Sequence, residues 1–383
     1  MRILHCCLAA FYNEGYGYQE NILPKMHKLQ GHEVKIIAST ETFVDKINLG
    51  YVSPTQYVNG DGIPVVRLPY LSYIPNVFAR KLRIYDGLKV ELYVFNPDVI
   101  FLHDAQFLSI NTIVDFMRKN KRVKLFVDSH TDFGNSATNF ISRHILHGII
   151  YKSCIRKIIP YAETFYGTLP MRVDFLTQFY NVPSEKVRLL VMGADDELIN
   201  EAREKHMREK LRARFNIADN TLLIVAGGKF DSRKRGIIDL MKAVIDLNLE
   251  RDVRLLVFGS VMDDLKVRFN DLVDGNIVQY AGWISGKQTY DYFEAADLIV
   301  FPGSHSVLWE QAVGQGKPCV FKNYMGQRHI DLGGNCKIMS NCSDIKGILI
   351  DCINNYEEMK TCAEMVGVKE FSYYQIAKRA IND

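Results

Sequence analysis

Leu222-Leu-Ile-Val-Ala-Gly-Gly-Lys-Phe-Asp-Ser-Arg-Lys-Arg-Gly236 and Phe301-Pro-Gly-Ser-His-Ser-Val-Leu-Trp-Glu-Gln-Ala-Val-Gly-Gln-Gly-Lys-Pro318 decide the fold. Each opens on the end of a short apolar run, passes through small or polar residues, and continues with helical spacing. A strand that leads into a helix, repeated along a chain, builds an open parallel sheet. The two connecting stretches then belong at the carboxyl ends of strands, where such sheets take ligands. The first stretch concentrates cations at Lys229, Arg233, Lys234 and Arg235. The second offers a helix start at Gly303, Ser304 and Ser306, with the carboxylate of Glu310 one turn further on.

The same alternation extends in both directions. Leu222–Val225, Arg254–Phe258, Ile277–Tyr280, Leu298–Phe301 and Pro318–Phe321 read as strands, separated by helical patterns at Ile237–Leu247, Asp263–Leu272, Lys287–Ala295 and Ser306–Gly314. Near the N-terminus, Arg2–Leu8, Glu33–Ala38, Val99–Leu102 and Lys124–Val127 read as strands. Tyr18–Leu29 between the first two is helical, with Gly31 as its stop. Residues 40–95 are less regular and read as loops or an irregular insertion. Lys205–Phe215 reads as a basic helix, and Gly193–Asn200 as a linker. The expectation is two β/α domains: 1–194, joined by a last helix from about Glu370 to Asp383, and 195–369.

At 383 residues the chain exceeds one ordinary core, which also favours two domains. A hydrophobic share of 48% and a charged share of 24% are those of a soluble globular protein. The formal charge of +3 is too small to argue for nucleic acid. Eight cysteines occur without a C-x-x-C pair and mostly in apolar runs, so they read as reduced, buried thiols. Residues 1–10 lack the regions of a secretory signal, and no run of apolar residues is long enough to span a bilayer. The expected location is cytoplasmic.

Chemistry can be assigned to these residues. Lys229 and Lys234 would stabilise the charge that develops on a departing diphosphate without moving a proton. Arg233 and Arg235 would add bidentate contacts. The plain alternative is a solvated basic turn. Backbone N–H groups at a helix start bind phosphate, and Glu310 can accept both hydroxyls of a ribose. Its plain alternative is a carboxylate that complements the helix dipole. Gly15 and Gly17 allow close approach of backbone to a ligand. They do not complete a G-x-G-x-x-G fingerprint, because Glu20 holds the third place, so nicotinamide binding is poorly supported. His130 closes a strand and can face a cleft. His103, one strand earlier, reads as structural.

In order and spacing, these segments resemble retaining glycosyltransferases of family 4, which have the GT-B fold: two Rossmann-like parallel-sheet domains facing across a cleft. Gly15–Gly17 falls at that family's glycine loop, and Gly31–Val34 at its Gly-His-Glu-Val turn. Pro97–Ile100 with His103 matches its "PDVVHAH"-like strand, and Phe126–His130 the strand that ends in its active-site histidine. Val187–Asp195 resembles its "V-x-NG-x-D" linker, with Met192 in place of Asn. Gly228, Lys229 and Lys234 match its "G-R-x4-K", with Lys for Arg and Arg235 inserted before Gly236. Tyr280–Trp283, Ala295–Phe301 and Glu310–Pro318 complete the series. The family has two glutamates in this last region. Glu310 stands at the second, and Pro302 occupies the place of the first, with His305 near the missing carboxylate.

The resemblance implies transfer of a sugar from a nucleoside-diphosphate sugar to a glycan or lipid-linked glycan, with retention and with neither metal nor cofactor. Lys229 and Lys234 would hold the leaving diphosphate, Glu310 the ribose, and His130 the donor sugar. Gly17, Gly228, Arg233, Trp283, His305, Ser306 and Val307 would line the donor. Acceptors of that family suggest capsule, O-antigen or exopolysaccharide assembly. Arg143–Ile159 mixes cations with apolar residues and reads either as a core helix with solvated charges or as a peripheral contact with the inner face of a membrane. Two other functions fit the fold. A sugar-nucleotide 2-epimerase would need several carboxylates and histidines at the anomeric centre. A degenerate nucleotide-sugar-binding subunit without activity would explain Pro302.

Overall fold

The computed structural model describes residues 1–45, 48–136, 139–325 and 327–382. The chain forms two units, Met1–Val191 with Ile376–Asp383, and Met192–Gln375.

The first unit is built on β1 (Arg2–Cys7), β2 (Glu33–Ser39), β3 (Glu41–Phe43), β4 (Leu49–Tyr51), β5 (Thr55–Val58), β6 (Pro64–Leu68), β7 (Val99–His103), β8 (Lys124–Ser129), β9 (Ala162–Gly167) and β10 (Val187–Leu189). Eight of them form one sheet in the order β10-β9-β8-β7-β1-β2-β6-β5. All its pairs are parallel except β5 with β6. A parallel sheet covered on both faces needs strands that are apolar throughout, and β7, with every residue buried, is the clearest case. The helix Gln19–Leu29 crosses from β1 to β2 and ends at Gly31, whose φ of +83° is the left-handed conformation glycine adopts without strain.

Residues 40–95 are more ordered than their composition suggests. They supply the β3–β4 ribbon, the edge strand β5 with its neighbour β6, and helices Asn76–Leu82 and Leu88–Phe95. β5, Thr55-Gln-Tyr-Val58, is exposed apart from the half-buried Tyr57, so it lacks the apolar run that marks the buried strands. Residues 141–158 form one helical stretch, π-helical over Ile141–Tyr151 and α-helical over Lys152–Ile158.

The second unit carries β11 (Leu222–Phe230), β12 (Val253–Val261), β13 (Val278–Tyr280), β14 (Leu298–Phe301), β15 (Cys319–Lys322) and β16 (Cys336–Met339), in the order β13-β12-β11-β14-β15-β16 and parallel throughout. This is the Rossmann order, and it reverses direction between β11 and β14. The two quoted stretches therefore leave adjacent strands at the switch point. The sequence reading ends this strand at Val225, but Gly227 and Gly228 continue it. β11 runs through them in register with β12 as far as Phe230 opposite Val261. Gly193–Asn200 is also not a bare linker. Asp195 caps the helix Asp196–Glu204, its side chain accepting from the Glu197 N–H at 3.0 Å. His206, in the left-handed conformation, then separates this helix from Met207–Arg214.

Candidate functional site

In the second unit, the cations and the helix start meet through glycines. Lys234 ends the 3-10 turn Ser232–Lys234, and its side chain lies against Gly303, where an added Cβ would stand 2.6 Å from Lys234 Cγ. The Lys234 ammonium reaches back to Gly228, 3.3 Å from the place a Cβ would occupy. Gly236 leaves no room beneath the Pro302 carbonyl. Gly228, Gly236 and Gly303 thus let β11, β14 and their following turns close on one another. Lys229 is exposed at the end of β11, and Arg235 is exposed at the start of the helix Gly236–Asn248. The Arg233 side chain lies outside what the structure describes.

Glu310 is completely buried in the helix Leu308–Gly314. Its Oε1 accepts from His305 Nε2 and from His329 Nε2, both at 2.7 Å. Burial alone would raise its pKa, but the two imidazoles bring it down to about 2. Oε2 has no partner among the described residues, and neither do Ser306 Oγ or Trp309 Nε1 nearby in sequence. Trp309 packs on Phe321 at 4.7 Å and edge-on to His305 at 5.1 Å, so it anchors the helix in the core. Val307 and Ser306 form the turn before the helix, with the Ser306 carbonyl accepting from Trp309 N–H. Trp283 is 67% exposed and lies beside Gly282, which has φ of +78°.

His130 belongs to the first unit and follows β8. Its Nε2 lies 3.5 Å from Asp128 Oδ2 and 4.0 Å from Glu20 Oε1, too far for good hydrogen bonds but close enough for strong Coulomb attraction. Burial opposes its charge, yet Glu20 and Asp128 raise its pKa to about 9. Its backbone N–H donates to Asp104 Oδ2. Gly17 is half-buried in the segment between β1 and helix Gln19–Leu29, next to the stacked rings of Tyr16 and Tyr18. His103, read from sequence as structural, is wholly buried and 2.9 Å from Asp128.

Sequence reasoning missed Asp128, Glu20 and His329. Glu20 was noticed only for breaking a glycine pattern. Asp128 sits inside an apolar strand, where a charge signals a partner. His329, in the turn between β15 and β16, carries no sequence signal. Two groups, His103–Asp128–His130 and His305–Glu310–His329, bring potential metal-ligand atoms within 4.8 Å of one another. Either could accept a divalent ion, although each already forms close contacts between imidazole and carboxylate.

With this geometry established, comparison with solved structures decides the fold. The chain aligns over 99% of its length with 98% of the Anabaena HepE structure in complex with UDP, with TM-score 0.67 at 14% identity. It aligns equally fully with 96% of a Rickettsia africae glycosyltransferase, TM-score 0.66 at 14% identity. The fold is GT-B. A UDP-GlcNAc 2-epimerase from Neisseria meningitidis bound to UDP-GlcNAc shares it, with TM-score 0.62 at 13% identity over 99% of this chain and 98% of that one. Among curated proteins, the chain is similar to mannosylfructose-phosphate synthase of Agrobacterium fabrum, 23% identical over 207 residues. That match covers 50% of this chain and 44% of the relative's length. No family model matches the sequence.

Proposed function

We propose that the chain is a glycosyltransferase that moves a sugar from a nucleoside-diphosphate sugar to a glycan or lipid-linked glycan. The observation that carries this reading is Glu310: an ionised, wholly buried carboxylate with one oxygen held by two histidines and the other without a partner. It stands at the carboxyl end of a Rossmann-type sheet, where Lys234 is fixed over Gly303. A ribose diol would satisfy the open oxygen, and Lys229 with Lys234 would neutralise the diphosphate. The named ligands of similar folds, UDP in HepE and UDP-GlcNAc in the epimerase, support a nucleotide-sugar partner.

On this reading transfer proceeds with retention. The acceptor hydroxyl attacks the face the diphosphate leaves, and a phosphate oxygen takes its proton. Lys229 and Lys234 stabilise the leaving group, so the step needs neither metal nor cofactor. His130 contacts the donor sugar. In the second unit Gly228, Trp283, Ser306 and Val307 line the donor. His305 has a narrower role than donor contact, because its Nε2 is committed to Glu310.

The acceptor side has its own support. A cavity of about 490 Å³ in the first unit is lined by Arg80, Lys81 and Arg83, with Tyr51 and Tyr151. On the two helices that border it, Val77, Phe78, Ile145 and Ile149 are exposed. Cations beside exposed apolar side chains suit a phosphate-bearing, lipid-linked acceptor and a peripheral place at the inner face of the membrane. No described helix is long and apolar enough to cross a bilayer. Failure to float with anionic vesicles would remove this part alone.

The test is incubation with UDP-, GDP- and ADP-sugars in EDTA, following release of nucleoside diphosphate and the fate of the sugar. Transfer, or slow hydrolysis, with one donor is expected, and Glu310→Ala lowers it about a hundredfold or more. Conversion to an epimeric nucleotide sugar would establish the second reading, which the Neisseria structure favours. Binding without turnover would establish a binding subunit, which Pro302 favours.

A further inference from the structure

Among the described residues, two clusters of imidazole and carboxylate bring ligand atoms together, and they differ in the room they leave. In His305–Glu310–His329 both imidazoles sit 2.7 Å from one carboxylate oxygen, a hydrogen-bond length, and His329 Nδ1 is buried with no hydrogen-bond partner. In His103–Asp128–His130 the contacts are longer. Asp128 Oδ2 lies 2.9 Å from His103 Nδ1 and 3.5 Å from His130 Nε2, and His130 Nε2 is buried with no hydrogen-bond partner among the described residues. The three atoms all lie within 4.8 Å of one another. Bonds of about 2.0–2.1 Å to a tetrahedral ion set neighbouring ligand atoms about 3.3 Å apart, so these separations suit ligands that share one ion.

The surroundings of this second cluster are those of a metal site. A ligating imidazole nearly always gives its other N–H to a fixed acceptor. With Nδ1 turned to an ion, His103 Nε2–H donates to His5 Nδ1 at 3.0 Å, His5 Nε2–H to His27 Nδ1 at 2.9 Å, and His27 Nε2–H to the Ala377 carbonyl at 2.9 Å. Each of the three rings is then neutral, and every N–H finds an acceptor. Asp128 Oδ1 accepts from the Asp104 N–H at 3.2 Å, which fixes the carboxylate. Glu20 Oε1 stands 4.0 Å from His130 Nε2 and offers a fourth oxygen, directly or through a water. Asp128 and Glu20 together match the charge of a divalent ion, while the nearby Arg172 is engaged by Asp132 at 3.3 Å.

We propose that His103 Nδ1, Asp128 Oδ2 and His130 Nε2 form a binding site for one zinc-class divalent ion in the first unit, with Glu20 as the fourth donor. Two imidazoles with carboxylate oxygens select zinc and similar transition-metal ions over magnesium and calcium, which take oxygen ligands. His103 and Asp128 are wholly buried, and His130 is the most exposed of the four side chains. His5 is a positioning residue that holds the His103 ring with Nδ1 toward Asp128.

Ion binding does not depend on the transferase reading. One consequence rests on it. His130 Nε2, which on that reading contacts the donor sugar, is taken by the ion, so the site is inhibitory: zinc slows transfer and EDTA restores it.

The test uses the whole chain, freed of metal with EDTA, dialysed, and titrated with cobalt(II), zinc and magnesium. Cobalt(II) in a four-coordinate site gives strong visible absorption that the hexa-aqua ion lacks. The expected result is one cobalt(II) per chain with that absorption, displaced by one equivalent of zinc and not by magnesium. His130→Ala weakens zinc about a hundredfold or more and abolishes the visible band, whereas His305→Ala changes neither. His5→Leu keeps the stoichiometry but weakens zinc about 10–100-fold, and His5→Asn, which keeps an acceptor for His103 Nε2–H, restores most of it. Absence of stoichiometric cobalt(II) and zinc binding in the wild-type protein overturns the proposal, whether or not the variants fold. Binding that survives His130→Ala, or that is lost in His305→Ala, overturns it too, because the ion then sits elsewhere. Unchanged zinc affinity in a folded His5→Leu protein overturns the positioning role. None of these readouts uses sugar transfer, so this proposal and the transferase reading fail separately.

Discussion

Glu310 and His130 carry charge in places where burial resists it, and both are tied to partners that compensate. Their linkage to stability has opposite signs. Glu310 has a folded pKa of about 2 against a reference of 4.5, so its contribution is present above 4.5 and is lost as the pH falls toward 2. His130 is raised from 6.5 to about 9, so its contribution is present below 6.5 and is lost as the pH rises through 9. Urea midpoints plotted against pH should therefore be highest between these flanks. Glu310→Gln should flatten the acid flank, and at neutral pH it should cost about 1–3 kcal/mol, because its amide N–H₂ or an unmatched oxygen then faces two imidazole donors. His130→Gln should flatten the alkaline flank and leave the acid one unchanged. Flanks that do not respond to these substitutions would show that other groups govern them.

At the scale of elements, Gly303 and Gly236 set how closely β14 approaches the turn after β11. Gly303→Ala pushes a methyl group into Lys234, and Gly236→Ala pushes one into the Pro302 carbonyl. Overpacking of this kind costs about 1–3 kcal/mol. Gly303→Ala should also weaken nucleotide binding by displacing Lys234, whereas Gly286→Ala, where a Cβ meets nothing, should do neither. Chemical denaturation and calorimetric titration read the two effects. The strands of the second sheet were legible because β11, β12, β14 and β15 are nearly continuous apolar runs, as strands buried on both faces must be. β5, β6, β9 and β16 were not singled out. β5 is mostly exposed at the sheet edge, and the others are short or interrupted by polar residues such as Arg67, Thr164 and Lys337. The candidate site divides in the same way. Lys234 and Glu310 follow strands and could be read from local pattern. His329 and Asp128 gain meaning only from pairing across elements, which local spacing does not encode.

For the whole molecule, two Rossmann-type sheets without a disulfide depend on apolar burial. Seven of the eight cysteines are buried and Cys362 is half-buried, with none in a disulfide. Burial pushes the Cys6 and Cys352 thiols up to about 12, where little thiolate forms. An aromatic disulfide reagent should therefore modify Cys362 first in the native protein, and all eight only after denaturation. Rapid native reaction at several sites would contradict the packing.

The central claim is that the second unit binds a nucleoside diphosphate through Lys234 and Glu310. The most direct measurement is thermal unfolding with UDP, GDP, ADP and CMP, each with and without EDTA, for the wild-type protein and for Lys234→Ala. A ligand that binds only the native state raises the melting temperature, and at a hundredfold excess over its Kd it adds about 2.7 kcal/mol. The account predicts an upward shift with one diphosphate, unchanged by EDTA and lost in Lys234→Ala. No shift with any of the four, or the same shift in Lys234→Ala as in the wild type, would contradict it.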